Sequence, residues 1–184
     1  EDEVAAERVQ EIFSSDTFRV YVNPDPLGTE LGGTLKNIMA IAAGVCDGMQ
    51  LGTNAKAGLL TRALPEMIRM GAFLGAQAET FFGLSGMGDL IATCDSPLSR
   101  NYQVGFGLAH GKTIEQILAD LEGTAEGLNT TNVVAAIAKK ESIPMPITRQ
   151  VFLLTKGKTT PIQSVQNLMD RDLKWEFEDL DFSS

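Results

Sequence analysis

The alternating run Phe18-Arg19-Val20-Tyr21-Val22 is the one strand-like pattern in this chain, and it constrains the fold more than any other feature. A lone strand has no sheet to join and cannot bury itself. Asn23-Pro24-Asp25-Pro26 breaks the pattern immediately afterwards. Ahead of the run, Val4, Ala5, Val9 and Ile12 recur at helical spacing, and Glu1 to Glu3 suit a helix N-terminus. Residues 1–25 are therefore expected to be the closing helix and strand of an α/β domain whose remainder lies elsewhere. Residues 26–184 are expected to form an all-helical bundle.

Helix signals follow one another after Pro26. Thr29 or a neighbour opens a long helix running towards Met49, and Asn54 caps a second that reaches Gly71. Thr80 starts a short helix before a glycine-rich block, and Asp89 caps another that includes Thr93. Ser99 opens a helix ending near Gly111. Thr113 with Gln116 makes a capping box for a helix up to Leu121. From about Thr130 to Glu141, Val133, Val134, Ile137 and Ala138 fall on an inner face. Ile147 to Lys156 is closed by Gly157. Thr160, Pro161 and Gln163 give a cap, a first-turn proline and a second box. The tail from Trp175 to Ser184 is acidic with interleaved aromatics, and either packs on the body or frays.

Composition narrows the function. A net charge of −9 argues against nucleic acid or anionic membranes as partners, so an anionic substrate has to be caught by local donors. His110 is the sole histidine and the two cysteines, Cys46 and Cys94, lack metal spacing, which argues against a zinc site. Two thiols in such a chain suggest a reducing, cytoplasmic address. The longest apolar run, Ile38 to Cys46, is too short to span a bilayer.

Gly33, Lys36 or Asn37, Ala40 and Gly44 share one side of the first long helix. Each interior glycine costs about 1 kcal/mol relative to alanine, so close packing or ligand access should offset it. A lysine on such a face is partly desolvated, which disfavours its charged form and suits a proton acceptor. The plain alternative is a surface lysine whose stem covers apolar neighbours.

Downstream, Gly83-Leu84-Ser85-Gly86-Met87-Gly88-Asp89-Leu90 combines flexible glycines with one carboxylate. Glycines at this density can turn backbone N–H groups towards a ligand. Asp89 and Thr93 stand four apart on one helical face, where the carboxylate could hold Lys36 or serve only as a cap. Ser99-Arg100-Asn101 sits at a helix start, where free N–H groups and a guanidinium fork favour a phosphate. An amine, a carboxylate and an anion clamp are the parts needed to move a proton on a phosphorylated alcohol. Gly105-Phe106-Gly107-Leu108-Ala109-His110-Gly111 imitates a dinucleotide loop but lacks a preceding strand. His110 is better placed to neutralise a helix C-terminus. The seven methionines suit core filling.

Taken in order, Phe18-Arg19-Val20-Tyr21, Glu30 to Asn37, Asn54-Ala55-Lys56-Ala57, Thr61-Arg62, Glu66-Met67, Gly83 to Leu90, Thr93-Cys94, Ser99-Arg100-Asn101, Glu126-Gly127 and Met145-Pro146-Ile147-Thr148 resemble the soluble NAD(P)-dependent glycerol-3-phosphate dehydrogenases. The resemblance covers essentially the whole chain. It implies an N-terminal Rossmann domain, missing here, followed by a helical substrate domain similar to the C-terminal domain of 6-phosphogluconate dehydrogenase. It implies NAD or NADP as cofactor, bound mainly by the missing domain, and sn-glycerol 3-phosphate and dihydroxyacetone phosphate as substrate and product. Lys36 would be the proton acceptor and, with Asp89, would contact the substrate, Asp89 also orienting Lys36. Thr93, Ser99, Arg100 and Asn101 would bind substrate, while Arg100, Thr124 and Glu126 would touch the cofactor. Thr124 departs from the apolar residue of many relatives. A homodimer is the common family assembly. Two other readings stand beside this one: a related hydroxy-acid or sugar-phosphate dehydrogenase domain, and a non-catalytic helical module for anion binding or dimerisation.

Overall fold

A computed structural model describes residues 2–121, 123–173 and 175. Among them the secondary structure is helical throughout: α1 (Glu3–Phe13), α2 (Pro26–Gly48), α3 (Thr53–Leu74), a 3₁₀ turn (Ala78–Phe82), a π turn (Leu84–Gly88), α4 (Asp89–Asp95), α5 (Arg100–Ala109), α6 (Ile114–Asp120), α7 (Glu126–Lys140), α8 (Pro146–Thr155) and α9 (Pro161–Met169). None of these helices is long and apolar enough to cross a membrane. The tail beyond Trp175 and the first glutamate lie outside the described residues.

The strand expected at Phe18–Val22 does not form. With no neighbouring strand, its backbone finds local partners. The Val20 carbonyl accepts from Gln10 Nε2 at 2.9 Å, the Val20 N–H reaches Ser14 Oγ at 3.3 Å, and the Phe18 carbonyl accepts from the Ser15 N–H at 2.7 Å. Helix α1 forms as predicted but buries no residue, and Val4, Val9, Ile12, Phe13, Phe18 and Tyr21 all face solvent.

Helix α2 is the axis of the bundle, with Leu35, Ile38, Met39, Ala40, Ile41 and Ala43 all within 1% of complete burial. It starts three residues before Thr29 because Asp25 is the cap. Asp25 Oδ1 accepts from the Gly28 N–H at 2.9 Å, and its Oδ2 accepts from the Gln77 N–H and Thr80 Oγ1. The Gly28 N–H, followed by Gln77 and Thr80, holds this carboxyl below its usual range even though burial opposes it. One aspartate thus caps α2 and pins the turn after α3 against it.

Glycines set how closely α5 lies on α2. A Cβ at Gly44 would stand 2.0 Å from the Tyr102 carbonyl oxygen, and one at Gly105 would stand 1.8 Å from that of Ile41. The dinucleotide-like glycines of α5 therefore serve helix packing. His110 ends that helix, with Nδ1 2.8 Å from the Phe106 carbonyl oxygen. Lys56 of α3 joins Asp47 of α2 at 2.7 Å and Asp95 of α4 at 2.9 Å, while Tyr102 Oη donates to Asp47 at 2.8 Å. Burial pulls the Lys56 amine down, but the bonds to Asp47 and Asp95 outweigh that and hold it above its ordinary value. Burial, with Asp47, pushes Tyr102 up to about 12.

Several caps fall where the sequence puts them. Thr113 with Gln116 and Thr160 with Gln163 form capping boxes, and Ser99 caps α5. Three details differ. Asn54 makes no cap, since α3 begins at Thr53 behind Gly52. Helix α7 starts at Glu126, and Val133 on it is exposed. Met87 and Met169 are exposed, while Met39, Met67, Met70 and Met145 fill the core.

Glu66 of α3 is buried and caps α8 from a distance. Its oxygens accept from the Ile147 N–H at 2.6 Å, the Thr148 N–H at 3.1 Å and Thr148 Oγ1 at 3.0 Å. Burial nonetheless pushes its carboxyl up to about 7, against an ordinary 4.5. The raised folded-state value means that stability from this group is complete below about pH 4.5 and is lost as pH rises through 7. Urea titrations at about pH 5 and pH 8 should show a loss of roughly 2–3 kcal/mol in the parent that is absent in Glu66→Gln. Parallel pH dependence in the two proteins would contradict this account of Glu66.

Candidate active site

Lys36 stands in the third turn of α2 and Asp89 at the start of α4. Their side chains meet: Lys36 Nζ donates to Asp89 Oδ2, and Thr93 Oγ1 donates to Asp89 Oδ1 at 3.2 Å. The lysine side chain is 19% exposed and the carboxylate 38%, so the pair sits at the wall of the protein and can be reached. Asp89 is not the cap of α4; Gly88 holds that position, which leaves the carboxylate to Lys36 and Thr93.

The glycine-rich block acts through close approach. A Cβ at Gly32 would stand 2.4 Å from the Ser85 carbonyl oxygen, and one at Gly86 would stand 2.2 Å from that of Phe81. Bare glycine at Gly32 lets the π turn lie on α2, bare glycine at Gly86 lets it fold on the 3₁₀ turn, and together they bring Asp89 over Lys36. The expectation that this block aims N–H groups at a ligand is not met for its glycines. The Gly86 and Gly88 N–H groups donate to the Gly83 carbonyl at 3.3 and 3.2 Å, and the Gly83 N–H donates to Thr80. Their donors are consumed within the turns.

A second cluster adjoins the first through Asn37, the next residue on α2. Asn101 is buried at 8% exposure. Its Nδ2 donates to Asn37 Oδ1 at 2.9 Å, and its Oδ1 accepts from the Gly127 N–H at 2.9 Å. Asn37 Nδ2 in turn donates to the Gly33 carbonyl at 3.3 Å. Gly127 has to be glycine here, because a Cβ would stand 2.6 Å from Asn101 Oδ1 and 2.9 Å from the Asn37 carbonyl oxygen. The loop before α7 folds over Arg100: a Cβ at Gly123, whose φ is +104°, would stand 2.9 Å from Arg100 Cζ.

Asn37, Leu98, Arg100, Asn101, Thr124 and Glu126 surround a polar cavity of about 400 Å³. The fold thus gathers Arg100, Asn101, Thr124 and Glu126 round one space, with Lys36, Asp89 and Thr93 in the adjoining cluster. Ser99 lines neither; its hydroxyl accepts from the Tyr102 N–H at 3.3 Å as the cap of α5. Cys94, on the same short helix as Asp89, is buried, and burial pushes its thiol up to about 12. A thiol held that high is a poor nucleophile.

A larger cavity of about 550 Å³, lined by Leu59, Val151, Leu154, Val165 and Leu168 among others, lies between α3, α8 and α9. Its size and apolar walls suit a small molecule. Of its two carboxylates, Glu66 is committed to capping α8; Asp172, Arg62, Arg69 and Arg171 also line it, while Lys36, Asp89 and Arg100 do not. Arg100 and Asn101 line the smaller space, and Asn37 at its edge follows Lys36 directly on α2.

The family model described as NAD-dependent glycerol-3-phosphate dehydrogenase C-terminus matches residues 25–166. The chain belongs to that family. It is 65% identical to the glycerol-3-phosphate dehydrogenase [NAD(P)+] of Acaryochloris marina over 97% of its own length and 58% of that protein's. With the enzyme of the same name from Synechocystis it shares 64% identity over 98% of the chain and 57% of the relative. A crystal structure of glycerol-3-phosphate dehydrogenase from Coxiella burnetii superposes with a TM-score of 0.85 at 40% identity, covering 92% of the chain and 52% of that structure. The chain thus spans somewhat more than half the length of the curated relatives it matches.

Two members of the second cluster carried little signal in the sequence. Asn37 stood only as an alternative to Lys36 on one helix face. Gly127 gave no hint that it would hold Asn101, since its partner lies 26 residues earlier. Gly127→Ala should lower unfolding stability by about 1–3 kcal/mol as Asn101 is displaced. An unchanged denaturation midpoint would show that the contact is not tight.

Proposed function

We propose that residues 26–184 are the substrate domain of an NAD(P)-dependent enzyme interconverting sn-glycerol 3-phosphate and dihydroxyacetone phosphate, and that residues 1–25 close its nucleotide-binding domain. The observation that carries this reading is the Lys36–Asp89 pair beside a polar cavity edged by Arg100 and Asn101. Family membership supports it independently.

Lys36 takes the proton of the C2 hydroxyl as the C2–H bond breaks, and returns one to the C2 oxygen in the reverse direction. Asp89 holds Nζ through one oxygen while Thr93 fixes the other, so the amine has a defined position. Arg100 offers a fork of donors to the phosphate at the start of α5, where the helix dipole adds to its charge. Ser99 shapes that helix start, and Asn101 fixes α5 against α2 and α7 while facing the cavity. These local donors work within a chain of net charge −9. A bound nicotinamide dinucleotide supplies the hydride acceptor. The residues present suit its edge: Arg100 can meet a phosphate, and Thr124 and Glu126 offer a hydroxyl and a carboxylate to ribose or amide groups. The apolar side chains exposed on α1 and at Phe18 and Tyr21 fit packing against a further domain. A cytoplasmic homodimer is the assembly we expect.

Lys36→Ala in the full-length enzyme should cut turnover about 10²–10⁴-fold with little change in the KM for glycerol 3-phosphate. Unchanged kinetics would remove Lys36 from the reaction. The 184-residue chain on its own should give no NAD(P)-linked turnover in an absorbance assay, and robust turnover would refute the division of labour between two domains.

A further inference from the structure

Five glycines interrupt α2, and four have a reason within the chain. A Cβ at Gly28, Gly32, Gly44 or Gly48 would stand 2.1, 2.4, 2.0 or 2.6 Å from Asp25 Oδ2, the Ser85 carbonyl oxygen, the Tyr102 carbonyl oxygen and Ala109 Cβ respectively. Gly33 is the exception: a Cβ there would meet nothing within 4 Å. Its backbone is ordinary helix, so no unusual dihedral requires glycine. Glycine inside a helix is unfavourable relative to alanine, and here neither packing nor conformation accounts for it.

Its position is informative. Lys36 and Asn37 follow three and four residues later, on the same face. Side chains on a helix lean towards its N-terminus, so those of Lys36 and Asn37 reach back over the turn that contains Gly33. The Asn37 amide does so visibly, donating to the Gly33 carbonyl at 3.3 Å. The open space above Gly33 lies on the helix face that carries Lys36 and Asn37, and neither side chain comes within 4 Å of an added Cβ to fill it. Gly33 itself is half-buried, which places the space in a recess of the surface.

We propose that Gly33 is a specificity-determining residue: its missing side chain leaves the clearance by which the hydroxyl-bearing end of the substrate reaches Lys36. This rests on the function proposed above. With the phosphate held near Arg100 and Asn101, a three-carbon substrate runs past Asn37 to Lys36, and its far end comes to lie over Gly33. A methyl group at that point would push the reacting carbon away from the amine, and catalysis falls steeply with such displacement.

The test uses full-length enzyme carrying Gly33→Ala, with Gly58→Ala as the comparison. Gly58 lies in α3, is exposed, and also has nothing within 4 Å of an added Cβ. Thermal unfolding without ligands is measured together with initial rates over a range of glycerol 3-phosphate and cofactor concentrations. Gly33→Ala should unfold at the same or a higher temperature, while kcat/KM for glycerol 3-phosphate falls at least 10-fold and the cofactor KM stays within about 2-fold. Gly58→Ala should match its unfolding behaviour and keep parental kinetics. Unchanged kinetics in Gly33→Ala would overturn the proposal. So would a lowered unfolding temperature, which would mean that protein covers the glycine, or a loss confined to the cofactor KM. If the unsubstituted enzyme fails to turn over glycerol 3-phosphate, the proposed function falls first, and that failure is read before any variant is made.

Discussion

Helix α2 lies backbone against backbone on α5 because glycine stands at the crossing on both sides, Gly44 facing the Tyr102 carbonyl and Gly105 facing that of Ile41. A single methyl group on either side would force the helices apart by more than a side-chain adjustment can absorb. The site inherits its dimensions from this contact. Asn37 on α2 and Asn101 on α5 can share a hydrogen bond only at that separation. The Lys56 network adds a second restraint. It joins α2, α3, α4 and α5 through Asp47, Asp95 and Tyr102, and so fixes the far end of the short helix that begins with Asp89.

Within that frame the two clusters have different physical characters. The Lys36–Asp89–Thr93 cluster is an ion pair at the protein wall, partly exposed, with Thr93 on the second carboxylate oxygen. In the Asn37–Asn101–Gly127 chain, Asn101 and Gly127 are buried and Asn37 is half-buried, and its hydrogen bonds are made within the protein, so it sets geometry. Arg100 stands outside the chain, exposed at the rim of the cavity, where a guanidinium can meet an anion without a large desolvation cost. Amine and guanidinium are thus fixed by different elements, and the distance between them is set by the packing of α2 on α5.

What the sequence made legible was mostly local. The capping boxes at Thr113 and Thr160 and the Ser99 cap depend on residues three positions apart, and they appear where expected. So does the helical character of the described residues after Pro26. Features that depend on distant partners were harder to read. Asp25 begins α2 because it also binds Gln77 and Thr80, more than 50 residues away, and nothing near Asp25 announces them. The run at Phe18–Val22 has a strand's alternation but no strand beside it, and alternation alone makes no ladder. Residue types in the glycine-rich block suggested ligand-facing N–H groups, yet which side of a glycine is crowded is a tertiary fact. The pairing of Lys36 with Asp89 was anticipated from chemistry, and the role of Glu66 in capping α8 was not, because the two are 81 residues apart.

The most direct measurement is a crystal structure of the full-length protein with dihydroxyacetone phosphate bound. The account requires the C2 oxygen to lie about 3 Å from Lys36 Nζ, with the phosphate against Arg100 at the start of α5. A phosphate seated in the apolar cavity between α3, α8 and α9, with Lys36 contacting only Asp89, would contradict it.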